Sequence, residues 1–169
     1  EPSWWKRFKE DPSLYIEIRK DNQVNVYFEG GSIARIHYCS RHKKLQVFTH
    51  HKYLGMDAPS KTCSYIECSD FIGSCLDDVL DRVKTVYSQK GNVDGIMAKE
   101  KWSEKYIQGT LIVQAKPFHL DSEFAYIDDE ANNRIDLVKC EDGLVTFVEL
   151  KRMDDERMLH ETDATPEVV

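Results

Sequence analysis

The stretch that most constrains the fold is residues 134–152, RIDLVKCEDGLVTFVELKR, which has the pattern of a β-hairpin. Two apolar runs flank the turn sequence EDG, and the second run is rich in β-branched and aromatic residues. Because side chains alternate between the faces of a strand, Glu149 and Lys151 are expected on one face. The outer ends of a hairpin are neighbours, so Asp136 and Glu149 are predicted to lie close together.

Two carboxylates and one ammonium would then meet at one end of a small sheet. Close carboxylates repel each other, and burying them is costly unless a cation compensates their charge. The pattern therefore predicts that Asp136 and Glu149 hold Mg²⁺ or Mn²⁺, with the carbonyl of Leu150 as a third ligand. Lys151 would orient or deprotonate a water for attack on a phosphodiester. The alternative interpretation is an ordinary hairpin with a surface Glu–Lys pair.

Twelve residues separate Asp136 from Glu149, and Lys151 follows two positions later. This pattern resembles the motif of the PD-(D/E)XK nuclease superfamily, which has the restriction-endonuclease-like fold. Ile135 stands where that motif has proline, and the resemblance spans residues 94–152. It implies a helix followed by a three-stranded meander, with the aspartate on the second strand and E-x-K on the third. It also implies metal-dependent DNA hydrolysis in a bacterial defence, repair or mobile-element setting.

The same family carries a glutamate on the helix that precedes the meander. Glu100 and Glu104 lie one helical turn apart, on the face that carries Ile107 and Leu111. Glu104 is closer to the strands, and its E-x-x-I setting resembles the family helix. We therefore expect Glu104 to be the fourth catalytic residue, with Glu100 as the alternative. An exposed charge on an amphipathic helix is the other interpretation of either residue.

The first third of the chain is typical of an antiparallel meander. Alternating polar and apolar residues predict strands at 14–19, 24–28, 33–38 and 45–49, with a Gly-Gly turn between the second and third. One face of this sheet is expected to be packed and the other open. Trp4, Trp5 and Phe8 are predicted to lie on a short helix and to pack against the sheet, rather than to stack on bases.

Helical periodicity predicts one helix over residues 71–90 and a second from Asp94, which either ends near Gly109 or, as we expect, continues to Lys116. A strand at 124–127 follows. The predicted fold class is α+β: an N-terminal antiparallel β-meander (1–56), a connector and helix (57–93), and a restriction-endonuclease-like α/β core (94–169). That family core continues with another helix and strand after E-x-K, so we expect this core to be C-terminally truncated.

Charge is distributed unevenly, although the net charge is −7. Residues 1–55 hold ten basic and six acidic residues, whereas residues 56–169 hold thirteen and twenty-four, and no acid occurs from 30 to 56. This stretch predicts a DNA-binding surface made of Arg41, Lys43, Lys44 and Lys52. A solvated hairpin face that keeps the sheet edge from aggregating is an equally open interpretation.

Composition limits the remaining possibilities. No apolar run has the length of a membrane span and no signal-peptide pattern begins the chain, so we expect no membrane partner and a cytoplasmic location. The five cysteines lack the spacing of a zinc site and are expected to be reduced thiols. The motif and the family that it resembles imply a Mg²⁺-dependent nuclease acting on DNA. The alternative is a non-catalytic module that binds nucleic acid or protein on a nuclease-like fold.

Overall fold

A computed structural model of the chain describes residues 1–90, 104–127 and 132–151. The described residues form an α+β fold with three helices, a five-stranded antiparallel sheet and a three-stranded antiparallel sheet. They belong to two compact units, Glu1–Pro117 (the N-terminal unit) and Phe118–Val169 (the C-terminal unit). The predicted α+β class is confirmed, while the predicted domain boundaries near 56 and 93 stay predictions.

The N-terminal sheet follows chain order, with each strand paired to the next. Its strands are β1 (Leu14–Arg19), β2 (Gln23–Phe28), β3 (Gly31–Cys39), β4 (Lys44–His50) and β5 (Tyr65–Glu67). The first four match the predicted strands within two residues, because clear alternation marks each of them. β5 falls in a stretch expected to be a connector. It is only three residues long, too short to show alternation, and its pairing with β4 defines it.

One face of this sheet packs against two helices, α1 (Ser3–Glu10) and α2 (Leu76–Lys90). The core between them includes Phe8, Leu14, Val26, Ile36, Val47, Phe71, Leu80 and Val83. Trp4 and Trp5 are half-buried against it, so the predicted packing role of the N-terminal aromatics is confirmed. The helix predicted at 71–90 starts later than expected, because a 3-10 turn covers Ser69–Ile72 and Gly73 has an extended backbone.

The opposite face of the N-terminal sheet is not open, contrary to expectation. Tyr15, Glu17 and Asn25 are each less than a tenth exposed. Arg19 forms an ion pair with Glu17 and also donates two hydrogen bonds of 3.1 Å to the Tyr27 hydroxyl oxygen. Buried polar groups are stable where they find such partners. This face is therefore a polar network, and alternation alone could not separate it from a solvated face.

The third helix, α3 (Glu104–Gln114), packs on the turn between β2 and β3. A Cβ added to Gly109 would lie under 3.0 Å from the backbone nitrogen of Gly30, so the helix approaches this turn closely only because both residues lack side chains. The helix continues past Gly109, which confirms the longer of the two expected helices at this end. Its predicted start at Asp94 lies outside the described residues.

The C-terminal unit contains the predicted meander, with strand order β6 (His119–Ile127), β7 (Asn132–Glu141) and β8 (Leu144–Val148). Asp142 and Gly143 connect β7 to β8 with φ of +52° and +79°. Positive φ at both central residues is the geometry of the two-residue turn that matches the twist of a hairpin. The predicted hairpin is therefore confirmed. The first strand is longer than the predicted 124–127, and the restriction-endonuclease-like core stays a prediction.

Candidate active site

The β7–β8 ladder brings Asp136 and Glu149 next to each other. Leu137 is paired with Val148 in this ladder, so the neighbouring positions, Asp136 and Glu149, face each other just beyond the last pair. The backbone N–H of Leu150 donates to Asp136 Oδ2 at 2.6 Å. This hydrogen bond holds the chain after β8 against β7. The juxtaposition expected from the hairpin pattern is present, and it does not depend on any other part of the chain.

Lys151 lies on the same side of the chain as Glu149. Its ammonium forms an ion pair with Glu149 Oε1, as the alternation of an extended chain requires for residues two apart. The Lys151 side chain is 23% exposed and that of Glu149 is 53% exposed, so this pair is at the margin of the sheet and remains open to water. The structure thus brings together both carboxylates and the ammonium of the predicted motif.

The surroundings of Asp136 disfavour the ionised form of its carboxyl. Burial raises the pKa of its carboxyl above the ordinary value, and the negative charges of Glu149 and Glu123 raise that pKa further. The hydrogen bond from Leu150 and the positive charge of Lys151 act in the opposite direction, but the net shift is upward. A bound cation would therefore stabilise the ionised form of Asp136.

Glu123 is a residue near this site that the sequence prediction missed. The β6–β7 register places it across from Asp136, in the middle of β6. Its φ is +55°, which is unusual for a residue with a side chain, and its Oε2 lies 3.4 Å from Arg134 Nη1. The signal that could have found it is an acid directly before the apolar strand pattern FAYI. Its position opposite Asp136 could be known only from the strand register.

Glu104 is not part of the same unit as the other predicted residues. It is exposed at the start of α3 in the N-terminal unit, whereas Asp136, Glu149 and Lys151 belong to the C-terminal unit. The alternative, Glu100, lies outside the described residues. The assignment of Glu104 as a fourth catalytic acid therefore stays a prediction.

The residues of this site offer a hard divalent cation only a small donor set. Asp136 and Glu149 supply carboxylate oxygens, and burial, with the nearby negative charge of Glu149, raises the pKa of Asp136. Among the described residues, no group of three His, Cys, Asp or Glu side chains is arranged to hold a metal ion. The remaining ligands would be a backbone carbonyl oxygen, such as that of Leu150, and water, a combination that Mg²⁺ readily accepts.

The predicted DNA-binding residues are exposed but do not form one cluster. Arg41, Lys43 and Lys44 lie at the β3–β4 turn, and Lys52 follows the other end of β4. The seven residues of β4 separate these two groups by roughly 20 Å. Lys44 Nζ also lies 3.1 Å from Glu67 Oε1, which neutralises part of its charge. The DNA-binding role of all four residues stays a prediction.

Comparison with known proteins gives no relative for this chain: no family model, no curated protein and no solved structure matches it. In the part of the chain that the structure describes, no helix is both long and apolar enough to cross a membrane. The interpretation of the site therefore depends on its residues and their geometry.

Proposed function

We propose that this chain is a metal-dependent nuclease that hydrolyses DNA phosphodiester bonds, and that its C-terminal unit belongs to a restriction-endonuclease-like core of the PD-(D/E)XK type. The observation that carries this proposal is the facing pair of Asp136 and Glu149 across β7 and β8, with Lys151 on the side of Glu149. An ordinary surface Glu–Lys pair would not need a half-buried aspartate of raised pKa opposite it.

Each residue has a role that its position supports. Asp136 and Glu149 would hold Mg²⁺ or Mn²⁺, which would supply a polarised water and neutralise charge on the scissile phosphate. The Leu150 N–H fixes the orientation of the Asp136 carboxylate. Lys151 carries its ammonium to the carboxylates, where it would position the attacking water or contact a phosphate oxygen. After loss of its proton to solvent, the neutral amine would instead deprotonate that water.

Cleavage of plasmid and linear DNA in Mg²⁺ or Mn²⁺ tests the role of Lys151. Lys151→Ala should reduce the cleavage rate by about a hundredfold or more, the scale of a lost acid–base group, and leave metal binding largely intact. Lys151→Arg should not restore the rate, because a guanidinium stays protonated. Lys139→Ala is the matched control, since Lys139 is three positions from Asp136 on β7 and so belongs to the opposite face. Cleavage that persists in Lys151→Ala would assign the chemistry to other residues.

Calorimetric titration with Mn²⁺ tests the carboxylates independently of cleavage. The full chain should bind Mn²⁺, and Asp136→Ala should weaken that binding strongly, because half of the side-chain donor set is lost. Equal Mn²⁺ binding by the two proteins would refute the metal site.

A second candidate function is nucleic-acid binding without cleavage. It is favoured by the exposure of Arg41 and Lys43 at a turn where no acidic side chain among the described residues pairs with them. Binding of DNA by a protein that neither cleaves it nor binds Mn²⁺ would select this candidate.

A further inference from the structure

The N-terminal unit contains a cavity that plays no part in the proposed nuclease site. Its volume is about 210 Å³, and it lies beside the β2–β3 turn. The cavity is lined by Asn25, Tyr27, Gly30, Gly31, Ser32, Arg35, Tyr53, Tyr65, Tyr87 and Lys105. Two of these side chains are cationic and none is acidic, although the chain as a whole carries a net charge of −7.

Arg35 is the central charged group of this cavity. It projects from the middle of β3, where its cross-strand neighbours are Asn25 and Phe48. Its guanidinium carbon lies 3.7 Å from the centre of the Tyr65 ring, and Nη2 donates to the Tyr65 hydroxyl oxygen at 2.7 Å. Stacking on an aromatic ring holds the guanidinium plane in place. The cation is thus held rigidly in the cavity wall instead of extending into solvent.

No carboxylate among the described residues forms an ion pair with Arg35. The buried Glu17 pairs with Arg19, and Glu67, on the strand that carries Tyr65, pairs with Lys44. Arg35 Nε is buried without a hydrogen-bond partner, and so is Ser32 Oγ in the same cavity wall. Leaving buried polar groups unsatisfied costs free energy, and the cost is greater for charged groups. A bound anion would offset part of this cost by compensating the guanidinium charge, which is delocalised over all three nitrogens.

Two backbone features shape the cavity. A Cβ added to Gly31 would collide with the ring and hydroxyl of Tyr87, so glycine at this position lets the tyrosine reach the β2–β3 turn. The close approach of Gly109 to Gly30 brings α3 to the same turn and places Lys105 at the cavity margin. Lys105 is exposed and contributes a second positively charged residue to the cavity lining.

We propose that this cavity binds a small anionic molecule carrying a carboxylate or phosphate group. Arg35 and Lys105 would bind the anionic group, and Ser32 would donate to it. The tyrosine rings would pack against the rest of the ligand. A volume of 210 Å³ exceeds the roughly 150 Å³ that accommodates benzene in an engineered protein cavity, so a single-ring acid or a compact phosphate would fit. Its lining includes no residue of the nuclease motif, and its test requires no DNA.

Calorimetric titrations of the full chain with inorganic phosphate, pyrophosphate and benzoate, at constant ionic strength, test the proposal. At least one of these anions should bind saturably at a single site, and the comparison of phosphates with benzoate distinguishes the two anionic groups. Arg35→Gln should weaken that binding by about tenfold or more, the effect of losing a charged hydrogen bond. Lys105→Gln should weaken it severalfold. Lys61→Gln, at an exposed lysine outside the cavity, is the matched control and should bind like the wild type.

Arg35→Gln also removes the stacking on Tyr65, so its circular dichroism spectrum and urea unfolding midpoint should be recorded with the titration. If Arg35→Gln does not fold, the comparison of Lys105→Gln with Lys61→Gln decides, because both lysines are exposed. Absence of saturable binding by all three anions would overturn the proposal. Equal affinities of Lys105→Gln and Lys61→Gln, or of folded Arg35→Gln and the wild type, would overturn it as well.

Discussion

Asp136→Asn should stabilise the metal-free protein, the opposite of what replacing a half-buried, hydrogen-bonded aspartate usually does. The substitution removes a charge that burial and the facing Glu149 both disfavour. It retains the hydrogen bond from the Leu150 N–H, since the asparagine carbonyl oxygen can accept it at the same position. Like charges directly opposite each other on paired strands are destabilising, and cross-strand pairs act on a scale of about 0.2–1 kcal/mol. Relief of the desolvation cost adds to this gain.

The pH dependence of this effect follows from the direction of the pKa shift. Because the folded-state pKa of Asp136 is raised, the folded chain binds the proton more tightly than the unfolded chain does. Its contribution to stability is therefore most favourable below the unfolded pKa of about 3.9, and it is lost as pH rises through the folded pKa. The advantage of Asp136→Asn should be fully present at pH 7.5 and should shrink as the pH falls towards 4.

Urea unfolding of both proteins in EDTA, at pH 7.5 and at about pH 4, measures this effect. Asp57→Asn is the matched control, because Asp57 is an exposed aspartate of the connector and its substitution should change stability little. Adding millimolar Mn²⁺ at pH 7.5 should reverse the order, since only the wild type retains both carboxylates for the cation. An Asp136→Asn protein that is no more stable than the wild type in EDTA would refute the electrostatic reasoning about this site.

Three further predictions concern the N-terminal unit. Gly109→Ala should destabilise the protein by about 1–3 kcal/mol in urea unfolding, because the added Cβ would overpack against Gly30. Gly73→Ala should have little effect in the same assay, because a Cβ at Gly73 would make only ordinary van der Waals contacts. Burial raises the pKa of Asp11, but hydrogen bonds from lysine and serine side chains outweigh this effect and lower that pKa. Asp11→Asn should therefore cost about 2 kcal/mol at pH 7, and this part of the wild-type stability should be lost as pH falls below about 4. If the β3–β4 turn contacts phosphates, replacing Lys43 with Ala should flatten the salt dependence of DNA binding by roughly one unit of slope. Replacing Lys44 with Ala should flatten it less, because Glu67 already pairs with Lys44. An unchanged slope for both variants would show that this turn is ordinary surface.

Local sequence patterns were sufficient to predict the strands of the N-terminal meander and the β7–β8 hairpin. Alternation marks a strand without reference to the rest of the chain, and the Asp142-Gly143 pair favours positive φ at both positions, which sets the register of the hairpin. The register then fixes the contact between Asp136 and Glu149. Asp136 and Glu149 are close together in the sequence and are joined by a single hairpin, so this part of the candidate site could be predicted.

Other features depend on contacts between distant parts of the chain. The position of Glu123 opposite Asp136 comes from the β6–β7 register. β5 is a strand only because β4 provides its partner.

The cavity around Arg35 is the clearest case of a feature that only the tertiary structure decided. In the sequence, Arg35 is one cation in an acid-free stretch, with nothing to separate it from the exposed Arg41. Its enclosure requires Tyr65 from β5 and Lys105 from α3, elements that lie at least 30 residues away along the chain. Alternation predicts the face of the sheet on which a strand residue lies. The groups that cover that face come from distant segments, and only the tertiary structure determines which segments pack there.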